Sequence, residues 1–281
     1  MASGPQILLP ELHESQATGR IAEIYDEIRS FSGVAYVSSL QRYLATLPGV
    51  LDWAWTALRP AMASGVIPET GWRLAREIRL PPARIVAPDT LRQWGVKREA
   101  LTAIRNISAN FVRVSPVNLV MGACLRCVLS GTAPSGAGFA QRWTPPAPLP
   151  PMPGNVDPTV LPDDQRAVLM RFATDIDGAP FIPALYRQLA HWPPVLAWLA
   201  DELAPRFGAP ETEAMRAALQ SGAQTVAPDI VASLPGLPSG APPETEMTRR
   251  ILAAIERYAV TSPEMTAFGQ LLLDALPSSR S

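Results

Sequence analysis

The chain has 281 residues, 47% of them apolar, and a formal net charge of −1. That is enough for one large domain or two ordinary ones around a sizeable core, and it excludes wholesale disorder. Near-neutral charge argues against nucleic-acid or membrane-surface binding driven by bulk electrostatics.

The basic residues are almost all arginine, with Lys97 the lone lysine, so a single arginine is weak evidence for phosphate recognition. Residues 1–16 lack a basic stretch followed by an apolar run, so no secretory leader is expected there. Two cysteines and no export signal then point to the cytoplasm.

Along the chain, residues 21–29 place Ile21, Ile24, Tyr25 and Ile28 on one helical face. Residues 38–47 repeat the pattern through Leu40, Tyr43, Leu44 and Leu47, and Pro48 stops it. Residues 50–58 carry Val50, Trp53, Ala54 and Ala57 on one side. Ser115-Pro116 reads as a helix start, because serine caps free amides and proline suits the first turn. The apolar window that follows, 117–129, is interrupted by Asn118 and Arg126 and is shorter than the roughly 20 residues a membrane span needs. Residues 132–164 are rich in proline and read as a semi-rigid extended linker. A smaller Pro/Gly stretch, 235–243, separates two helical segments further on. No alternating run is long enough to argue for a sheet, so the expected class is all-α.

The sequence also repeats itself. At a shift of 145, residues 35–60 fall on 180–205 without a gap, with ten identities in twenty-six positions, among them Leu40/Leu185, Arg42/Arg187, Pro48/Pro193 and Trp53/Trp198. At a shift of 147, Phe111 meets Tyr258, Ser115-Pro116 meets Ser262-Pro263, and Gly122 meets Gly269. The expectation is two tandem helical repeats, 1–131 and 165–281, joined by the linker 132–164 and related by a pseudo-two-fold axis. A site would then lie between them. A duplicated unit already imitates a dimer internally, so a homodimer is compatible with this arrangement without being required by it.

Several residues carry chemistry. Arg42 and Arg187 occupy equivalent helical positions and could converge on one carboxylate; each could equally bond carbonyls within its own repeat. Ser115 and Ser262 could offer helix amides to an anion or simply cap a helix, with Asn118 one turn on. Cys124 and Cys127 form a CxxC within a helix, which reads as core rather than as a reactive dithiol or zinc site, since neither His13 nor His191 is suitably spaced. Asp175 and Asp177 sit in a turn, where aspartates usually bond locally, although either could activate a water. His191 replaces Thr46 of the first copy and reads as a helix-end histidine. Phosphate loops, dinucleotide fingerprints and nucleophile elbows are absent. No cofactor or metal is expected.

The repeated block resembles the DL-2-haloacid dehalogenases of the DehI type, a family of duplicated all-helical proteins related in fold to AhpD-type helical peroxidases. The matching stretches are Tyr25–Arg29, Arg42–Gly49 with Ala54 and Trp55, and Leu189–Pro193 with Val195 and Leu196, together with Phe111 and Pro116. The resemblance implies hydrolysis of 2-haloalkanoic acids by direct attack of water on the halogen-bearing carbon. The site would lie between the repeats, with an aspartate of the second repeat activating the water and an asparagine of the first assisting. Those two positions fall on Leu185 and Ser115. Leucine cannot act as a base; serine can orient a water but supplies no charge. The peroxidase pattern also lacks its partners, with Val112 and Gly131 standing where its glutamate and histidine belong. The expected function is hydrolysis or binding of a small 2-substituted carboxylic acid, with Arg42, Arg187, Ser115, Asn118 and Tyr186 as polar contacts. The contrasting expectation is a non-catalytic small-acid-binding or assembly protein.

Overall fold

Two helices of about equal length organise the fold: α6 (Arg98–Leu129) and α11 (Thr245–Ala275), which form the most extensive helix pairing in the molecule. The structure, a computed structural model, describes residues 9–140, 143–176, 178–239 and 243–278. Before α6 the chain forms α1 (Gly19–Ser32), α2 (Ser39–Leu44), α3 (Val50–Ala63), α4 (Val66–Arg76) and α5 (Pro88–Gln93). After it come α7 (Asp163–Met170), β1 (Thr174–Ile176), β2 (Ala179–Phe181), α8 (Ala184–Leu189), α9 (Pro193–Leu203) and α10 (Pro210–Ala232), and α11 closes the chain.

The three helices expected first are α1, α2 and α3. α2 stops at Leu44, short of the expected end, and tighter turns carry the chain on: Thr46 N–H donates to Tyr43 O and Leu47 N–H to Leu44 O. Proline at 48 disfavours helical backbone at Leu47 and so ends the element. α3 instead continues through Pro60 to Ala63. The all-α expectation holds, apart from the hairpin β1–β2. Its two strands of three residues pair Thr174 with Phe181 and are too short for an alternating pattern to reveal them.

The core runs without a break from the first helices to the last. Ile24, Leu58, Ile67, Ile104 and Ile107 of the first half are fully buried, as are Phe172, Leu189 and Phe268 of the second. Each such side chain contributes about 1.5–3 kcal/mol through burial. By length and composition α6 could cross a membrane, but 67% of its apolar window is buried inside the fold, the pattern of a core helix.

The expectation that Ser115 and Ser262 start helices is corrected. Both Ser-Pro pairs lie well inside the long helices, α6 having begun at Arg98 and α11 at Thr245. Each proline removes a single helical donor, and packing on both flanks keeps the helix going. Pro263 leaves the carbonyl of Ala259 without its helical partner, and Gln220 Nε2 of α10 donates to that oxygen at 2.9 Å. Near Pro116, α4 crosses α6 so closely that a Cβ on Gly71 would lie 2.7 Å from the Pro116 carbonyl oxygen. The adjoining Trp72 Nε1 donates to Arg113 O at 2.8 Å.

The proline-rich connection lies as a strap across the first half. Leu149 N–H donates to Gly33 O at 3.1 Å, and Arg113 Nη1 donates to Gly33 O and Ala147 O at 2.7 and 2.8 Å. Trp143 rests against Gly65 and lies 6.2 Å, ring to ring, from Trp72. The strap then reaches the second half, where Val156 N–H donates to Arg187 O and Gly154 O contacts His191 Nε2 at 3.0 Å.

Candidate functional site

A cavity of about 70 Å³ sits beside the Ser-Pro positions in the middle of the two long helices, and residues of both halves of the chain enclose it. At roughly 10–15 Å³ for each water-sized position, it has room for about five. α6 supplies Ser115, Asn118 and Arg126; α11 supplies Tyr258, Thr261 and Ser262. Tyr36 and Ser39 close it from the α2 side, while Phe181, Pro183 and Ala184 form an apolar wall ahead of α8.

Its polar groups differ in what they have left to offer. The hydroxyls of Ser115 and Thr261 are buried, line the cavity and have no hydrogen-bond partner among the described residues. A buried polar group without a partner costs about 1–3 kcal/mol, so these two are poised for a ligand or water. Asn118 Oδ1 accepts from Gln41 Nε2 at 2.9 Å, which leaves its amide nitrogen for a ligand. Ser262 is already committed, its hydroxyl donating to Tyr258 O at 2.8 Å. Burial pushes the Tyr36 and Tyr258 phenols far up, so both stay protonated donors at neutral pH.

The lone charged side chain among the lining residues is Arg126, whose Nη1 lies 3.1 Å from Glu256 Oε1 at the rim. No aspartate, glutamate or histidine lines the cavity among the described residues. Sequence reasoning passed over Arg126 as a break in an apolar window. The available signal was a cation one turn after Gly122 and Ala123, small residues that open space beside a helix.

Of the residues expected at the site, Ser115 and Asn118 are brought together there; the others are not. Arg42 is buried and ion-paired with Glu11, Nη2 to Oε2 at 2.6 Å, so its carboxylate comes from its own chain. Arg42 is nevertheless close to the cavity, since Nη2 contacts Ser39 Oγ at 3.4 Å. Arg187 Nε donates to the strap carbonyl of Val156 at 3.2 Å. Burial lowers the Arg187 pKa, an effect opposed by the nearby carboxylates of Glu11 and Asp157 and reinforced by Arg42. The paired arginines are thus electrostatic neighbours around Glu11, yet neither lines the cavity. A buried guanidinium needs a partner, and a tethered carboxylate and a carbonyl provide them.

Tyr186 is corrected as well. It is fully buried in the second-half core, stacked on Phe172 with ring centroids 4.2 Å apart, because α8 turns it away from the wall formed by Pro183 and Ala184. Leu185, where the sequence resemblance implies a base, is a buried core leucine directly after that wall. Asp175 is exposed and accepts from Gly178 N–H at 3.0 Å, the local turn bond that competes with any role as a base, and it does not line the cavity. Asp177 lies outside the described residues. Cys124 is buried in α6 and Cys127 half-buried; burial raises both thiol pKa values, which keeps them from acting as thiolates.

No family model matches the chain, and no curated protein does. Solved structures do. The fold is similar over nearly its whole length to a D-2-haloacid dehalogenase mutant (TM-score 0.74, 18% identity, 98% of each chain covered). It is also similar to a D-2-haloacid dehalogenase mutant in complex with D-2-CPA (TM-score 0.71, 19% identity, 94% of this chain and 95% of that one). A D-2-haloacid dehalogenase in complex with L-LA matches at TM-score 0.71 and 19% identity, with 98% of this chain and 99% of that one covered. The protein therefore shares the fold of these D-2-haloacid dehalogenase structures, as the sequence resemblance implies. At this identity the likeness is one of fold.

Proposed function

We propose that the chain binds a small 2-substituted carboxylic acid in the cavity between its halves, without the aspartate-driven attack of water that the dehalogenase resemblance implies. The observation that carries this reading is the make-up of the cavity among the described residues: two buried hydroxyls without partners, one arginine and no carboxylate. Such a lining suits an anion. Arg126, whose pair with the exposed Glu256 is screened by solvent and open to exchange, would meet the ligand carboxylate, and Ser115, Asn118 and Thr261 would orient the 2-substituent. Hydrolysis by this route needs a base within hydrogen-bond reach of the attacking water, and Leu185 holds that position with a hydrocarbon side chain.

Hydrolysis remains the second reading, favoured by near-complete coverage of proteins named as haloacid dehalogenases. The repeated sequence blocks support a further part of the proposal, that the two halves descend from one duplicated unit with the cavity at their junction. The decisive experiment offers both enantiomers of 2-chloro- and 2-bromopropionate to the purified protein, following halide release and melting temperature together. Thermal stabilisation without halide release is expected. Steady halide release would replace the binding reading with the hydrolytic one.

A further inference from the structure

A second concavity, of about 720 Å³, lies on another face of the molecule between α4, α6 and α11 and shares no lining residue with the inner cavity. Its size is within the range of small-ligand sites. Trp72, Ile78, Val112 and Leu271 give it apolar walls, and Pro146 of the strap closes one end.

The charge around it is one-sided. Arg76, Arg79 and Arg113 all line the groove, and none forms an ion pair among the described residues. Many of the other guanidiniums meet carboxylates, as in Arg59–Glu27 at 2.6 Å and Arg206–Glu202 at 2.6 Å, while Arg105 and Arg187 bond carbonyls. The acidic side chain in the groove is Asp274, which accepts from Gln270 Nε2 at 2.8 Å. Arg113 is occupied in part by the strap carbonyls, and Arg79 Nη1 donates to Arg76 O and Ile78 O, both at 2.7 Å. The Arg76 guanidinium makes no hydrogen bond among those of the described residues, and the residue is exposed. Two or more guanidinium faces are thus held beside an apolar trough, with one carboxylate to balance them.

We infer that this groove binds an amphiphilic carboxylate of medium chain length, its tail lying along Trp72, Val112 and Leu271 and its head group on Arg76 and Arg79. Arginine suits that head group, since a planar fork of donors matches a carboxylate in two-point contact. A tail without charge would leave the guanidiniums unused, and a small acid without a tail would leave the trough wet.

The test is a calorimetric titration of decanoate, kept below its micelle concentration, into the full chain and into Arg76→Gln and Arg76→Gln/Arg79→Gln variants. Decyltrimethylammonium and butyrate serve as the opposite-charge and short-tail controls. The expected result is one-to-one binding of decanoate alone, weakened roughly tenfold in the double variant, which is about 1.4 kcal/mol. Because the Arg76 guanidinium makes no bond among the described residues, its single variant keeps the fold intact and should carry part of the loss. Equal binding of the cationic amphiphile, undiminished binding by the double variant, or no heat from decanoate would each overturn the assignment. Sedimentation at the same concentrations gives a further check, because a dimer that covers the groove would also overturn it. A Ser115→Val/Thr261→Val variant is expected to bind decanoate like the parent chain, which keeps the outcome separate from that of the inner cavity.

Discussion

Glu11 Oε2 lies 2.6 Å from Arg42 Nη2, and the adjoining Leu12 N–H donates to the Arg42 carbonyl at 3.0 Å. Tyr25 Oη–H in turn donates to Leu12 O at 3.1 Å, so the segment before α1 is tied to the arginine at two points and to α1 at a third. The arginine that reads in the sequence as a ligand clamp is thereby an anchor for the segment that precedes α1. Glu11→Gln should destabilise the protein by about 1–2 kcal/mol, below the 3–5 kcal/mol of a fully buried pair because Glu11 is partly exposed. Urea denaturation measures this, and small-acid binding should be unchanged in Glu11→Gln. Arg42→Met that kept its stability but lost ligand binding would restore the clamp.

The second buried ion pair makes a pH prediction. Glu264 is fully buried and bonded to Arg216, whose Nη2 also donates to Phe207 O at 2.8 Å. Burial raises the Glu264 carboxyl pKa above its usual value, although the charge and hydrogen bond of Arg216 oppose the shift. A raised folded-state pKa favours the protonated group, so its contribution is fully present below the unfolded-state value. That contribution is lost as pH rises from there through the folded-state value. The stability of the parent chain relative to Glu264→Gln should therefore fall as pH rises from 4 towards neutrality. A difference that grows with pH would contradict the assignment.

How firmly the strap is seated can be tested at Gly65. This residue has φ +82°, and a Cβ there would lie 2.4 Å from the Trp143 ring. Gly65→Ala should destabilise by about 1–3 kcal/mol through backbone strain and overpacking combined. In a Trp143→Ala background the steric part disappears, so the effect of Gly65→Ala should shrink there. Equal effects in the two backgrounds would show that the ring does not press on this glycine.

The sequence made some of this legible and hid the rest for physical reasons. Helices α1, α2 and α3 could be read because one apolar face each, Ile24 and Ile28 in the first case, recurs at helical spacing. The passage of α6 and α11 through their prolines could not. A Ser-Pro pair reads the same at a helix start as in mid-helix, and what sustains α11 there is Gln220, 43 residues away. Ser115 and Asn118 do line the cavity, although the reading that singles them out, a helix starting at Ser115, is not what the structure shows: both lie in the middle of α6. Arg42 and Arg187 were misaimed, since their partners, Glu11 and the Val156 carbonyl, come from irregular segments that carry no periodic signal. Tyr186 was misplaced by a rotation about one short helix, and Thr261 was overlooked beside the more conspicuous Ser262-Pro263. All-helical architecture survived these errors because it rests on many residues, whereas each site assignment rests on one.

The central claim, a small-acid site at the junction of α6 and α11, is most directly tested by calorimetric titration of 2-chloropropionate into the parent chain, Arg126→Gln and Ser115→Val/Thr261→Val. The two hydroxyls lack partners, so replacing them with an apolar group of similar shape should leave folding stability within about 1 kcal/mol. The account predicts measurable binding by the parent chain and at least a roughly tenfold loss in each variant, about 1.4 kcal/mol. Binding that persists unchanged in both variants would place the ligand elsewhere and contradict the account.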